Sequence, residues 1–459
     1  MLLPTPYSPT DIACYVSTPL PCPNYNFQNR PTYKPNIIYL NKLDRLLPLK
    51  SKNTYKIISV KAKVVKRYLS YFVPFVAPQV KSWTWEARLL NWLTCVWLII
   101  GLVTLMSASY PEGVVNNNDG FYILKRQMIG VAAGIIGFNL MSRLPLSKTI
   151  KIAPVMVLVL LMLIFATLVP GLGKTTMGAS RWIAIGPFSL QPSELIKPFL
   201  VLQAACLFSR WRKLTNKVRL VWLTTFALVL AGILKQPNLS TTGLCGMSLW
   251  LIALAAELPL GQLLAVAGGG VGVASLSVAI NPYQLDRITS FLDPWQDYHN
   301  KGYQLIQSLL AIASGSINGA GYGLSQQKLS FLPIRSTDFI FAVYAEEFGF
   351  IGCVMLLLLI IGYGTLALRV AIKCKHELPR LVAVGAMVFI IGQSLINIGV
   401  ATGSLPTTGL PLPFFSYGIN SIIASLLLAG LLVRVARESN TTRVIALKPD
   451  SPTRSIPTQ

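Results

Sequence analysis

The sequence predicts an all-α polytopic membrane protein: ten transmembrane helices, with a large outer loop between the seventh and the eighth. Three observations carry that fold class. The 459 residues are 53% hydrophobic and only 12% charged, against roughly 25% charged in an average soluble domain. The apolar residues fall into long runs divided by polar connections, and about 20 apolar residues in helix cross a hydrocarbon core. Lysine and arginine concentrate in alternate connections, the bias that marks cytoplasmic loops. The net charge of +24 therefore reads as membrane topology. The basic residues form no single stripe of the kind that binds nucleic acid.

Residues 1–86 begin rich in Pro, Tyr and Asn and then turn basic, in "KLDRLLPLKSKNTYKIISVKAKVVKR". The first charged residue is Asp11 and no long apolar region follows it, so no signal peptide is expected. A mostly disordered cytoplasmic extension is expected instead. Its basic part either lies on anionic lipid or simply flanks the first helix. A ten-helix membrane domain spans 87–438, and 439–459 form a cytoplasmic tail. The apolar segments cover about 87–108, 125–144, 152–170, 193–209, 219–235, 241–256, 259–280, 337–368, 380–402 and 419–434. The sixth is short for a crossing, and the eighth is long enough to tilt or overhang.

Orientation follows from the loops. Arg143, Lys148 and Lys151, then Arg210, Arg212, Lys213 and Lys217, then Lys373, Lys375 and Arg380 occupy alternate connections, and Arg434 and Arg437 end the last helix. Both termini are therefore expected in the cytoplasm. Asn281 to Ser336 becomes an outer loop, the longest of the membrane domain. Loops of that length are usually functional or disordered. Leu305, Leu309, Leu310 and Ile312 repeat at helical spacing within it, as an interfacial segment would.

Only sixteen acids exist in the chain. Glu112 and Asp119 sit in "SYPEGVVNNNDG", read as a solvated first outer loop. Glu194, Asp286, Asp293, Asp297, Asp338, Glu346 and Glu347 cluster at the outer ends of segments four and eight and in the large loop. In "QPSELIKPF", Ser193 is a natural N-cap, and Glu194 and Lys197 share a helical face. An ion pair inside a membrane helix is either a structural pair or a functional group facing a cavity. Arg181 and Trp182 fall at the outer interface. Trp182 fits an aromatic belt, whereas Arg181 is a cation on the less basic face, where an anionic headgroup would need one. "KQPNLSTT" holds a turn at Pro237 and Asn238. Ser336 or Thr337 can cap the eighth segment, and Asp338 suits its N-terminal dipole. Glu346 and Glu347 lie deeper and must be paired or protonated, in a structural hydrogen bond as readily as in chemistry. "NIGVATGSLPTTGLPLPFFSYGINS" breaks the helix at membrane depth, so a re-entrant stretch lining an outward cavity is expected.

Seven cysteines show no CxxC spacing and four lie in apolar runs, which argues against a disulfide framework or a metal site. The two histidines, His299 and His376, leave little material for His-centred catalysis.

Four motifs in order, "GASRWIAIGPFSLQPSELIK", "RITSFLDPWQDYHNKGYQLIQSLLAIASG", "LSFLPIRSTDFIFAVYAEEFGFIG" and "INIGVATGSLPTTGLPLPFFSYG", resemble the SEDS family (shape, elongation, division and sporulation). The resemblance covers about residues 87–438 and leaves the extension outside. "LSQQKLSFLP" and "DPWQD" look closer to its division-type, FtsW-like branch than to the elongation-type one. The resemblance implies ten transmembrane helices and polymerisation of lipid II into glycan strands on the outer face of the cytoplasmic membrane. It also implies a class B penicillin-binding protein as transpeptidase partner, other division proteins, and a place at the septum. The family's key carboxylate matches Asp297, its helix-four pair matches Glu194 and Lys197, and the start of its eighth helix matches Asp338. Three departures stand out. The family usually has Pro-Glu-x-His-Thr-Asp-Phe where this chain has Pro333 to Phe339 with Ser336 in the His position. It has Asp where this chain has Asn238, and Gly-Ser where this chain has Ile419 and Asn420.

The reaction needs few parts. An acceptor hydroxyl must lose a proton as it attacks the anomeric carbon of a lipid-pyrophosphate donor, and cations must stabilise the departing pyrophosphate. Asp297 is the candidate base, with Arg181, Lys197 and Arg126 the cations near the pyrophosphate. A divalent cation, magnesium or manganese, could assist there, although no dedicated metal cage is visible. Without the resemblance Asp297 leads Asp293 and Asp286 only slightly. Asp293 precedes a proline and suits a turn, and Asp286 can pair with Arg287. Two other functions fit the pattern: a transporter that flips lipid-linked precursor, and a non-catalytic scaffold for division proteins.

Overall fold

The computed structural model describes residues 83–176, 179–186, 188–329 and 331–445. Most of the expected extension and tail lies outside the described residues. α1 (Trp85–Asn117), α2 (Tyr122–Arg143) and α3 (Leu146–Ala166) come first. A small sheet of β1 (Gly173–Thr176), β2 (Ala179–Ile185) and β3 (Phe188–Leu190) follows, antiparallel in the order β1-β2-β3. Then come α4 (Pro192–Phe208), α5 (Asn216–Lys235), α6 (Leu239–Ala255), α7 (Leu260–Ile280) and two short helices, α8 (Pro282–Leu292) and α9 (Tyr303–Ser314). α10 (Ile340–Lys373), α11 (Glu377–Met387), a five-residue π-turn, α12 (Gln393–Ala401) and α13 (Ile419–Ile445) complete the chain.

Seven helices among the described residues are long and apolar enough to cross a membrane: α1, α3, α5, α7, α10, the continuous run Glu377–Ala401, and α13 up to Ser439. α2, α4 and α6 occupy the other three apolar segments of the sequence. The last two are short, with 17 residues each. The fold is a polytopic helical membrane protein.

Which apolar helices face protein is decided by packing. α13 sits at the centre, 78% of its apolar window buried, whereas α7 is peripheral at 11%. α2 reaches α13 through Gly130, Gly134 and Gly137. Side chains there would meet Ile419, Leu426 and Leu427 at 2.5–3.0 Å. Small residues at that spacing let two membrane helices approach closely where no hydrophobic force drives them together.

The helix ends form two groups. At one end Thr84 donates to Ala436 O, Arg437 to Ser142 O, and Arg380 to Ala255 O, while Lys373 pairs with Glu86. At the other end β2, the α5–α6 turn, α8, residues 336–338 and the non-helical stretch 402–418 converge. The second half of that stretch is buried against protein, as non-helical backbone at membrane depth requires. Leu410, Leu412, Phe414 and Phe415 are all buried, and the Phe414 ring meets Trp97 edge-on at 5.2 Å.

Several local expectations are corrected. The "first outer loop" is mostly the last turns of α1, which runs through Pro111 to Asn117. Ser193 is not a cap, because Pro192 takes the first helical position with its preset φ and moves the cap to Gln191. Ser336 and Thr337 do not cap α10, which starts at Ile340 after a series of turns. α9 rests on protein through the buried Leu305 and Ile306, with Ser308 Oγ donating to Ala401 O at 2.7 Å. The sheet had no counterpart in the sequence reading.

Candidate active site

Arg181 reaches from β2 to the α5–α6 turn. Its Nε donates to Gln236 O at 3.0 Å and its Nη2 to Pro237 O at 2.6 Å. The turn expected at Pro237 and Asn238 is thereby the seat of a cation, and Asn238 itself caps α6 by accepting from Thr241 N. Arg287 reaches from α8 to the 402–418 stretch, donating to Thr407 O at 3.0 Å and to the Tyr283 hydroxyl at 2.6 Å. Its guanidinium lies 4.7 Å from the Tyr283 ring centre.

Asp338 lies close to both cations. A side chain on Gly409, whose φ is +72°, would come 3.6 Å from Asp338 Oδ2 and 3.8 Å from Arg287 Nη1. Only glycine holds that backbone easily, so it can pass over both groups. Asp338 keeps some surface but is set deep among protein atoms. Burial raises its carboxyl to about 6, outweighing the opposing pull of Arg287 and Arg181. Burial likewise lowers Arg181, with Tyr283 opposing, Arg287 adding to the effect and Asp338 opposing. Two guanidiniums against one carboxylate leave an excess of positive charge with planar donor geometry, which suits phosphate.

Asp297 sits in the tight turn that follows α8. Its Oδ1 accepts from Asn300 Nδ2 at 3.1 Å and its Oδ2 from Lys301 N at 3.4 Å. Gly302 closes that turn, since any side chain there would strike Pro294 O at 1.8 Å. The rival acids are spent locally. Asp293 accepts from Trp295 N, and Asp286 pairs with Lys301 at 2.7 Å rather than with Arg287. Among the described residues no ion pair holds Asp297.

The remaining site residues fall into two further groups. Glu194 and Lys197 form a buried pair at 2.6 Å, and Lys197 also donates to Gln393 Oε1 at 3.0 Å. Gln393 in turn donates to Pro411 O at 2.6 Å, so this chain of contacts anchors the 402–418 stretch to α4. Arg126 on α2 belongs with Tyr122, Tyr417 and Glu112. Glu112 is not a solvated loop charge, for it accepts from Ser336 Oγ at 3.0 Å. Tyr417 N donates to Ser336 O at 2.8 Å, tying this group to the segment that carries Asp338. Among the described residues no group of three or more His, Cys, Asp or Glu could hold a metal ion.

Arg287, Glu112 and Gln393 escaped the sequence reading. Arg287 had a usable signal: like Arg181 it is a cation on the less basic face, but its neighbour Asp286 offered it a partner.

The sequence model of the FtsW/RodA/SpoVE family, described as cell cycle protein, matches residues 87–441. The chain belongs to this family. It is 53% identical over 379 residues to a probable peptidoglycan glycosyltransferase FtsW of Synechocystis sp., covering 83% of this chain and 96% of that one. It is 35% identical to the stage V sporulation protein E of Bacillus subtilis, over 76% of this chain and 96% of the other. Among solved structures, a peptidoglycan synthase complex concerned with polymerization and crosslinking matches with a TM-score of 0.62 at 27% identity, covering 78% of this chain and 98% of the matched one. The rod shape determining protein RodA of Thermus thermophilus gives 0.56 at 26% identity, with 78% and 97% covered. Three of the residues that depart from the motifs of the resemblance make hydrogen bonds. Ser336 holds Glu112, Asn238 caps α6, and Asn420 Nδ2 donates to Ser189 O at 2.8 Å, tying α13 to β3.

Proposed function

We infer that the chain is a peptidoglycan glycosyltransferase of the division type, polymerising lipid II into glycan strands. The observation that carries the site is the pair of guanidiniums, Arg181 and Arg287, close to Asp338. They offer a ready-made seat for the pyrophosphate of a lipid-linked sugar donor. Asp297, on the turn into which α8 leads, is the base. It takes the proton of the acceptor hydroxyl as the oxygen attacks the anomeric carbon, and the bond to pyrophosphate breaks. Preorganised cations at the leaving group lower the barrier because they need no rearrangement as charge develops. Arg126 extends the cationic surface on the α2 side. Glu194 and Lys197 act by holding the 402–418 stretch through Gln393, since the Lys197 ammonium is buried and committed. Asp338 keeps Arg181 and Arg287 in register.

The arrangement works in a chain that crosses the membrane ten times, with α2, α4 and α6 as the three crossings of lower hydropathy or length. Both termini are cytoplasmic and residues 281–336 face outward, at the septum. A class B penicillin-binding protein and other division proteins are the partners. The resemblance to a complex that couples polymerization to crosslinking supports this reading.

The test is glycan polymerisation from lipid II by the purified chain in detergent, alone and with a transpeptidase. Wild type makes polymer, and Asp297→Asn loses at least about a hundredfold in rate, the worth of a general base. Undiminished polymer from Asp297→Asn removes the base role. No polymer from wild type under either condition favours a transporter or scaffold, because detergent leaves no two leaflets between which to flip a lipid.

A further inference from the structure

At the end of the molecule opposite Asp338, a cavity of about 330 Å³ opens between the end of α10, the start of α11 and the end of α13. Cys374, Lys375, His376, Arg434, Glu438 and Ser439 line it. Nothing in the transfer chemistry uses it.

Its charge is unbalanced. Glu438 is the one acid on its wall, and that carboxylate is engaged. Its Oε1 accepts from Arg434 Nε at 2.8 Å, from Arg434 Nη2, and from Leu146 N at 3.1 Å, the first residue of α3. Arg143 and Arg437 lie against the same pair. Arg437 is repelled by the charges of Arg434 and Arg143 and attracted by that of Glu438. Arg437 is fixed further by Ser142 O and by the Trp83 ring, 4.5 Å from its guanidinium carbon. Arg434 is the guanidinium on the cavity wall, with Arg437 and Arg143 near it, so three positive charges surround one engaged carboxylate, and Lys375 stands exposed on the wall. The first turn of α11 abuts the same space through His376 and Pro379, and no side chain caps it. A helix N-terminus with free N–H groups attracts an anion. Glu377, also in that turn, does not line the cavity.

We propose that this cavity is a phosphate-ester site that takes the headgroup of an anionic membrane lipid. The exposed Lys375 ammonium and the uncapped start of α11 are the donors left open, and the guanidiniums of Arg434, Arg437 and Arg143 supply the positive field that favours an anion there. The basic helix ends place the cavity where headgroups lie, and anionic lipids draw juxtamembrane Lys and Arg. A soluble phosphate ester has the same chemistry, so the test separates the two sources.

The full chain is placed in nanodiscs of phosphatidylcholine with or without phosphatidylglycerol, and the lipid it retains on transfer to detergent is counted by native mass spectrometry. Wild type is expected to retain phosphatidylglycerol selectively. Lys375→Ala lowers that retention about tenfold, the worth of one charge-assisted hydrogen bond, and His376→Ala leaves the fold and lowers it less. Lys217→Glu, an exposed basic residue distant in sequence from the cavity, changes nothing. Inorganic phosphate and glycerol phosphate are titrated in parallel. Binding of these without lipid retention assigns the site to a soluble ester and overturns the lipid reading. No preference for phosphatidylglycerol and no phosphate binding, or equal loss in Lys217→Glu, overturns the site altogether. Melting temperature without anionic lipid, unchanged in Lys375→Ala, excludes misfolding as the cause.

Discussion

Asp338 has two guanidiniums for neighbours and still binds its proton more tightly than a free carboxyl. It is raised from 3.8 to about 6 because burial outweighs both. The folded chain therefore holds this proton in a range where the unfolded chain has released it. The resulting stability is present in full below the unfolded value and is lost as pH rises through about 6. Asp338→Asn carries no such dependence. The melting temperature of wild type, measured against Asp338→Asn, should fall between pH 5 and pH 7. A constant difference would show that the carboxyl is not raised. Glu194 and Lys197 give a second prediction. Glu194→Ala leaves a buried ammonium uncompensated and should cost about 3–5 kcal/mol, read as loss of folded protein on heating. Replacing both, as Glu194→Leu with Lys197→Met, should restore most of the stability but not the polymerase rate, because Gln393 loses its donor. Recovery of both would mean the pair matters only for folding.

The element that most constrains the Asp338 end is α10, which the sequence presents as one long apolar run. It is two helices joined at Gly349, whose φ of +65° and ψ of −166° only glycine adopts readily. A side chain there would also meet Gly319 N at 2.3 Å. On the N-terminal side of the kink Glu346 accepts from Gln326 N at 2.8 Å and Glu347 pairs with Lys328 at 2.7 Å, so both buried acids clamp the segment before α10 onto the helix. Gly349→Ala should therefore cost about 3 kcal/mol or more, from backbone strain plus the clash. Its effect on polymer synthesis should track the fraction folded. Wild-type thermal stability in Gly349→Ala would mean the kink is dispensable. The same reasoning applies to Gly101 on α1, where a side chain would fall 2.1 Å from Phe414 O. Close approach of helix to broken backbone lets the buried part of the 402–418 stretch, around Phe414 and Phe415, pack directly on α1.

At the scale of the molecule, the two groups of helix ends predict two faces. In a variant lacking native cysteines, Tyr298→Cys should react with a membrane-impermeant thiol reagent added outside intact cells. Lys148→Cys should react only after the membrane is opened. Labelling of both from outside would contradict ten crossings with cytoplasmic termini. The prediction rests on Lys and Arg lying in alternate connections.

The sequence by itself determined the membrane class, the positions of most helices and the motifs that place the chain in its family. Those properties follow from local sums of hydropathy and from short patterns read along the chain. It also made Arg181, Asp297, Asp338 and the Glu194–Lys197 pair worth attention, since a charge in an apolar chain needs a reason. Only the tertiary structure decided who meets whom. Arg181 and Gln236 are 55 positions apart, Ser336 and Glu112 224, and Gln127 and Ser416 289. No local pattern encodes such partners. Glu112 looked solvated and Arg287 looked paired with its neighbour, because nearest-neighbour reading cannot see that folding brings a better partner from another helix. The small sheet and the break at Gly349 were hidden for the same reason: backbone departures from helix depend on what packs against them.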